Sequence, residues 1–349
     1  MFKSTKSAMK GFSILLILAM MLAACGGNEA GGKAPETESP TVSDTNNNGA
    51  SQGSQEEPVK EEAPAEEAAG TRVVTYLDEQ YELPAKVERI VITGAVEAME
   101  DSIVLDVNPV GAISFSGAFP PLFESITKNA VSIGEKTEPN FEAILSLKPD
   151  VILGSTKFPE EVTEKLKTIA PTILYSHIST NWEANLRLLG ELSGKEAQAE
   201  EAIATYNADL EKAKLELGEK LKDEKVALIR LRGGKMYVYP ESVYFNPVLY
   251  GELGLTPPAE ITAAKAQEEL SVEKFAEMNP DYLFLQFSPD ENKDTPNALE
   301  ELQNNPIMKS TKALKEGKTF VNVVDPLAQG GTAYSKIEFL KAAIAELSK

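Results

Sequence analysis

Short apolar runs recur along the chain and alternate with stretches in which apolar residues are spaced three or four positions apart. The runs predict buried β-strands, and the spaced stretches, such as residues 141–147 and 160–169, predict helices. The strand candidates are "RIVITG" (89–94), "PVGAIS" (109–114), "DVILGS" (150–155), "PTILYS" (171–176), "DYLFLQF" (281–287) and "TFVNVV" (319–324). Residues 225–239, "KVALIRLRGGKMYVY", predict two more strands around a Gly233-Gly234 turn. This alternation predicts an α/β protein with largely parallel sheets.

Two segments of the chain share one pattern. Residues 140–154 are "NFEAILSLKPDVILG" and residues 271–285 are "SVEKFAEMNPDYLFL". In each, a capping residue (Asn140 or Ser271) is followed two positions later by a glutamate, then by Pro-Asp and an apolar strand. The match predicts two lobes built on related units, although a common helix–turn–strand sequence could also produce it by chance.

A different segment lies between the two copies. Residues 194–224 contain no proline and are dominated by alanine, glutamate, lysine and leucine, which favour helix. Apolar residues form one narrow stripe, too weak for a coiled-coil seam: Ala197, Ile203, Tyr206, Leu210, Ala213 and Leu217. We therefore expect a single long helix that joins a lobe at residues 71–193 to a second lobe at residues 225–349.

The first residues have the pattern of an export signal. Three lysines precede an apolar run at residues 12–24, which is shorter than the ~20 residues of a membrane-spanning helix. The run ends in "LAACGG", where Cys25 is the only cysteine of the chain. This stretch resembles the lipobox of bacterial lipoproteins, which implies removal of residues 1–24 and lipidation of Cys25. The alternative is an ordinary secretory signal with an incidental cysteine.

Composition identifies a tether after Cys25. Residues 26–70 contain no aromatic residue, and ten acidic residues there face only Lys33 and Lys60. Such a segment cannot bury enough apolar surface to offset its chain entropy, so residues 25–70 are predicted to form a disordered acidic tether. With a formal net charge of −20, the chain has no basic stripe for phosphates, and we expect no nucleic-acid partner.

Together these features resemble the long-helix class of substrate-binding lipoproteins of ABC importers, and within it the ferric-siderophore binders. The segments that carry the resemblance are "VERIVITG", "FEAILSLKPDVILGS", "IAPTILYS", "NLRLLGELSGKEAQAEEAIATYN" and "LSVEKFAEMNPDYLFL". The resemblance implies two Rossmann-like α/β lobes with a ligand groove between them, in a monomer anchored on the extracytoplasmic face of the membrane. It also implies delivery of a ferric siderophore to an ABC permease dimer with a cytoplasmic ATPase. In this family a glutamate on each lobe docks against permease arginines, a role that falls on Glu142 and Glu273.

Groove residues are expected at the carboxyl ends of the strands, where open α/β sheets bind ligands. The candidates are Thr93, Glu97, Phe115, Ser116 and Phe119 from the first lobe, and Arg230, Arg232, Tyr237, Tyr239, Tyr244, Phe245 and Phe287 from the second. Arg230 and Arg232 alternate on a strand, so they share one face and could bind chelate oxygens around iron. The alternatives are a solvated arginine face paired to nearby glutamates, and simple sheet packing for Tyr237 and Tyr239.

The ligand class is narrowed by the residues that the chain lacks. His177 is the only histidine, whereas a free zinc or manganese site needs two or three imidazoles with carboxylates. Iron already wrapped by a chelator needs no protein ligand, so we expect no cofactor. The acidity of the chain favours a hydroxamate or carboxylate chelate over a highly anionic catecholate. Haem, cobalamin and, more remotely, the substrate of an extracellular carboxylate-dependent hydrolase are alternatives, although no Gly-x-Ser-x-Gly motif or Cys/His pair is present.

Overall fold

The structure, a computed structural model, describes residues 70–349. The predicted signal peptide, Cys25 and the tether up to residue 69 lie outside the described residues. Within residues 70–349, no helix has both the length and the apolar character that a membrane crossing requires.

The first lobe is a parallel five-stranded sheet preceded by a hairpin. Its strands are β1 (Thr71–Tyr76) and β2 (Glu79–Pro84) of the hairpin, then β3 (Ile90–Ile92), β4 (Gly111–Ser114), β5 (Val131–Glu135), β6 (Val151–Ser155) and β7 (Thr172–Tyr175). The sheet order is β5-β4-β3-β6-β7, and every neighbouring pair is parallel. The helices are α1 (Val96–Leu105), α2 (Glu124–Thr127), α3 (Phe141–Ser146), α4 (Glu160–Lys167) and α5 (Trp182–Ser193).

The second lobe has a mixed five-stranded sheet, in which the hairpin predicted around Gly233-Gly234 is present. Its strands follow the long helix α6 (Glu196–Leu217) and are β8 (Val226–Arg232), β9 (Lys235–Val238), β10 (Glu268–Leu270), β11 (Tyr282–Phe287) and β12 (Thr319–Val321). The order is β10-β9-β8-β11-β12, with β8, β11 and β12 parallel and β9 antiparallel to its neighbours. The helices are α7 (Ala259–Ala263), α8 (Val272–Met278), α9 (Ala298–Asn304), α10 (Pro306–Lys309), α11 (Lys312–Lys315) and α12 (Ala333–Leu347).

A single helix joins the two sheets, as predicted, but it is shorter than expected. Helix α6 has 22 residues, and its buried positions form the predicted narrow stripe. It begins after Gly194, which ends α5 in the left-handed conformation at a φ of 67°. It ends at Gly218, which leaves residues 219–224 outside the helix. The α/β fold with a long connecting helix is confirmed.

Helix α12 is a second contact between the lobes, in addition to the connecting helix α6. The sequence analysis placed it in the second lobe, yet it packs against α1 of the first lobe and against α6. Lys336 of α12 is almost fully buried and pairs with Glu252, next to the rings of Trp182 and Tyr206. The lobes are therefore held together by side-chain packing as well as by α6.

The two matched segments fold alike. Asn140 caps α3 by accepting a hydrogen bond from the Ala143 backbone (3.0 Å), and Ser271 caps α8 in the same way. Each helix precedes a parallel strand and runs back along its sheet, so its N-terminus lies at the carboxyl edge of the strands. Glu142 and Glu273, in these first turns, are exposed, and neither makes an ion pair with any residue in the described range 70–349.

Candidate ligand-binding groove

Two adjoining cavities lie between the lobes, at the carboxyl ends of the strands. One has a volume of about 360 Å³ and the other about 410 Å³, and Gln329 lines both. The first is bounded by residues of both lobes: Glu97, Lys157, His177, Ile178, Ser179, Thr180, Ser242, Val243, Tyr244, Gln329 and Gly331. Together the two cavities form the groove that the α/β fold leads one to expect at this edge.

Glu97, Lys157 and His177 supply the polar groups of the first cavity. Lys157 Nζ lies 3.1 Å from Glu97 Oε1, and His177 Nδ1 lies 2.7 Å from Thr156 Oγ1. Burial lowers the pKa of His177, and the neighbouring Lys157 ammonium lowers it further. Both effects favour the neutral imidazole, which can donate a hydrogen bond to a ligand or accept one from it.

Arginines and acids line the second cavity. Arg230 forms a fork with Glu291, with distances of 2.9 Å from Nε to Oε2 and 2.7 Å from Nη2 to Oε1, and its guanidinium lies 5.0 Å from the Tyr244 ring centroid. Arg232 Nε lies 3.5 Å from the same Glu291 carboxylate. The glutamate pairing raised as an alternative is thus present, but one carboxylate serves two guanidinium groups. The cavity is lined by four cations (Lys136, Arg230, Arg232 and Lys293) and three acids (Glu135, Asp290 and Glu291), so one positive charge is in excess.

Lys136 adds a cation that forms no ion pair with any acid in residues 70–349. Its Nζ lies 3.3 Å from Gln329 Oε1, and it makes no ion pair with the residues that the structure describes. Burial lowers the pKa of Lys136, and the positive charges of Lys157 and Arg230 act in the same direction, against Glu97. The groove is therefore lined by three cations from the two lobes, Lys136, Lys157 and Arg230.

Half of the predicted groove residues do line the cavities. They are Glu97, Phe115, Ser116, Arg230, Arg232 and Tyr244. The structure thus brings together side chains that follow β3 and β4, lie in the last residues of β8, and follow β9.

The remaining candidates lie elsewhere. Thr93 and Phe245 are fully buried and line neither cavity. Phe245 packs between Tyr244 and Phe339, since the chain turns inward after Tyr244 and puts this ring into the core. Phe119, Tyr237, Tyr239 and Phe287 do not line either cavity: Phe119 and Tyr237 pack against the core, Phe287 is buried, and Tyr239 donates a hydrogen bond to Gln267 (2.8 Å).

Sequence reasoning missed several residues at the groove. Lys136 follows β5, an edge strand whose exposed first residues hide it from a search for apolar runs. Glu135 accepts hydrogen bonds from the backbone of Ser116 and Gly117, at 2.9 Å each, and so shapes the loop after β4. Two acids on α1, Glu100 and Asp101, could have been noticed because, together with Glu97, they place three acids on one short helix.

Glu100 and Asp101 are fully buried behind the groove and contact the second lobe. Burial raises the pKa of Glu100 to about 7 and that of Asp101 to about 8, although each carboxylate accepts several hydrogen bonds. Asp101 accepts from the Ala333 backbone (2.9 Å) and from the hydroxyl of Tyr175 (2.8 Å). These groups connect α1 to the N-terminus of α12.

The chain is similar to proteins of known role. The profile of a family described as "periplasmic binding protein" matches residues 105–322. An iron-uptake system-binding protein of Bacillus subtilis is 55% identical over 294 residues, which cover 83% of this chain and 93% of that protein. A probable siderophore-binding lipoprotein of the same species is 29% identical and covers 67% of this chain and 74% of its own length. The crystal structure of the triscatecholate siderophore-binding protein FeuA of Bacillus subtilis with ferri-bacillibactin has a TM-score of 0.73 at 56% identity, covering 79% of this chain and 98% of that one.

Proposed function

The chain belongs to the periplasmic binding protein family, and we propose that it captures a ferric catecholate siderophore outside the cytoplasm and delivers it to an ABC permease for iron uptake. The observation that carries this proposal is the cluster of Lys136, Lys157 and Arg230 in a groove between two α/β lobes. The relative crystallised with ferri-bacillibactin supports the ligand class.

A catecholate replaces the hydroxamate or carboxylate chelate that the overall acidity favoured. The net charge of −20 is spread over the whole chain, whereas charges farther than about 8–10 Å from an exposed ligand are largely screened. Within the groove, Lys136 is unpaired among the described residues and two arginines share the carboxylate of Glu291. Local charge therefore favours an anionic complex.

The protein's part in capture is recognition of the chelate surface. Ammonium and guanidinium groups donate charge-assisted hydrogen bonds to the catecholate oxygens, which carry the negative charge of the complex. Phe115 and Tyr244 supply apolar and aromatic walls. The iron stays inside its chelator, so this function needs neither a protein ligand to iron nor a cofactor, and it includes no catalytic step.

Haem is the second candidate ligand because His177 lines the first cavity. A neutral imidazole could coordinate haem iron axially. Two of the three cations, Lys136 and Arg230, line the other cavity, however, and they favour a ligand that is anionic over much of its surface. Haem therefore belongs in the binding test as a competitor.

Delivery requires a membrane anchor and a docking surface. We propose that lipidated Cys25 tethers the protein on the extracytoplasmic face, and that Glu142 and Glu273 dock against a permease dimer coupled to an ATPase. Both glutamates are exposed at the carboxyl edge of their sheets, which is also the edge that bears the groove. One carboxylate from each lobe could then contact the permease while the groove faces it.

A titration of the full chain with ferri-bacillibactin tests the proposal. Ferric complexes absorb visible light, so bound ligand should quench the fluorescence of Trp182 and the tyrosines. We expect saturable quenching by ferri-bacillibactin at lower concentrations than by a ferric hydroxamate, ferric citrate, haem or cobalamin. No saturable quenching by ferri-bacillibactin, or tighter binding of haem, would refute the assignment.

A further inference from the structure

The hydrogen bonds of the Glu100 carboxylate join the first lobe to the second. Glu100 lies on α1 of the first lobe, and its three hydrogen-bond donors all come from residues 329–335, after the second sheet. Its Oε1 accepts from the Gln329 backbone N–H at 2.7 Å, and its Oε2 accepts from the hydroxyls of Thr332 and Ser335. We call Glu100, Gln329, Thr332 and Ser335 the Gln329 latch.

Gln329 is the residue through which this latch reaches the groove. It lines both cavities, and its side-chain oxygen accepts a hydrogen bond from Lys136 Nζ. Its Nε2 donates to the Leu327 carbonyl at 2.7 Å, which fixes the orientation of the amide. The backbone bond to Glu100 therefore sets where the Gln329 side chain, and with it the Lys136 ammonium, stands in the groove.

The loop that carries Gln329 has little room to move. Gly330 has a φ of 85°, and a Cβ there would lie 2.4 Å from the backbone carbonyl carbon of Tyr244. A Cβ on Gly331 would lie 2.8 Å from the Cβ of Ser179 in the first lobe. The Gly330 N–H donates to Ser335 Oγ at 3.0 Å, so the loop is bonded to the latch at a second point. The two glycines allow the loop to pass between the lobes in close contact with both.

Burying a carboxylate at position 100 costs desolvation free energy. Glu100 is fully buried, it makes no ion pair with the described residues, and Glu97 on the same helix opposes its ionisation. An apolar side chain would fill space on a buried helix face without the cost of desolvating a charge. Three convergent donors from the other lobe recover part of that cost and give the carboxylate a defined geometric role.

We infer that Glu100 is a positioning residue for ligand capture: from the first lobe it fixes the Gln329 loop of the second, and so sets the arrangement of Gln329 and Lys136 in the groove. The inference rests on the proposed function for its ligand. Its structural part concerns the free protein and can be tested without one.

The test compares Glu100→Gln with Asp101→Asn in the full chain. Asp101 is a matched control because it is a fully buried carboxylate on the same helix with hydrogen-bond partners in both lobes, Tyr175 and Ala333, neither of which lies in residues 329–331. Hydrogen–deuterium exchange of residues 325–335 is followed in the free proteins, and the Kd for ferri-bacillibactin is measured with each. Ser335→Ala, which removes one donor but keeps the buried carboxylate, serves if Glu100→Gln does not fold.

We expect Glu100→Gln to speed exchange at Gln329 and Gly330 and to weaken binding by roughly threefold to thirtyfold. Asp101→Asn is expected to lower the melting temperature while leaving exchange at Gln329 and the Kd near the parent values. The inference is overturned if Glu100→Gln keeps the parent's exchange and Kd, or if both variants weaken binding equally. If the parent itself does not bind ferri-bacillibactin, the proposed function fails, and the exchange data alone decide whether Glu100 fixes the loop.

Discussion

Replacing Lys136 with glutamine should weaken the binding of an anionic chelate more than removing one positive charge at an exposed position does. The Lys136 ammonium is half-buried and makes no ion pair with the described residues, so a bound anion would form the first ion pair with it. Two unit charges 4 Å apart interact by about 4 kcal/mol at an effective dielectric constant of 20, and desolvation reduces the net value. A hydrogen bond to a charged group is worth about 1.5–3 kcal/mol, so Lys136→Gln should raise the Kd for ferri-bacillibactin by about tenfold to 150-fold.

Calorimetric or fluorescence titrations at low and high salt measure this effect. The affinity of the parent should fall as the salt concentration increases. The affinity of Lys136→Gln should fall less, because this variant lacks the Lys136 charge whose attraction to the ligand is screened by salt. Lys128→Gln is the control, since Lys128 is exposed at the end of α2 and the variant has the same net charge. A Lys136→Gln variant that binds within threefold of the parent, or a Lys128→Gln variant that is equally impaired, would show that groove charge does not select the ligand.

Three further predictions concern docking, anchoring and pH. Glu142→Ala and Glu273→Ala should leave the Kd unchanged and reduce cellular iron uptake, and substitution by Arg should reduce uptake further. If uptake equals that of the parent at equal surface abundance, these acids only stabilise the helix dipole, by about 0.3–1 kcal/mol. Cys25→Ser should release the protein into the medium or leave it as uncleaved precursor, with ligand affinity intact; a variant that still incorporates labelled lipid would contradict the anchor. Because burial raises the pKa of Glu100 to about 7 and of Asp101 to about 8, the folded state holds protons that the unfolded chain releases above about pH 4. The free energy of unfolding from denaturant titrations should therefore fall as the pH rises from about 4 to about 8, and fall less in Asp101→Asn; equal slopes for the two proteins would contradict this.

The sequence predicted the fold well because several strands, β3, β4, β6 and β11, are buried along their whole length. Residues 151–154 form a continuous apolar run, and strands of a covered parallel sheet have this pattern. The hairpin β1–β2 was missed because its residues are mostly exposed or half-buried, and only Val74, Tyr76 and Leu83 are buried. Tyr76 nevertheless ties the hairpin to the lobe through its contact with Tyr175, with ring centroids 6.2 Å apart.

The groove was predicted less well because the tertiary fold decides which side chains point into the space between the lobes. The sequence shows that Tyr244 and Phe245 follow the same strand, but only the three-dimensional path turns one ring to the cavity and the other into the core. The Glu100 contacts join residues more than 220 positions apart, which no local pattern predicts. Arg230 and Arg232 were identified from strand alternation, whereas their shared partner Glu291 comes from a distant turn.

The position of iron in a crystal of the complex would test the account most directly. After co-crystallisation with ferri-bacillibactin, anomalous scattering at the iron edge locates the metal independently of the chelate density. We expect one iron site between the lobes, with Lys136, Lys157 and Arg230 directed at catecholate oxygens and no protein atom bound to iron. An iron site outside the groove, or iron coordinated by His177 or by a carboxylate of the chain, would contradict it.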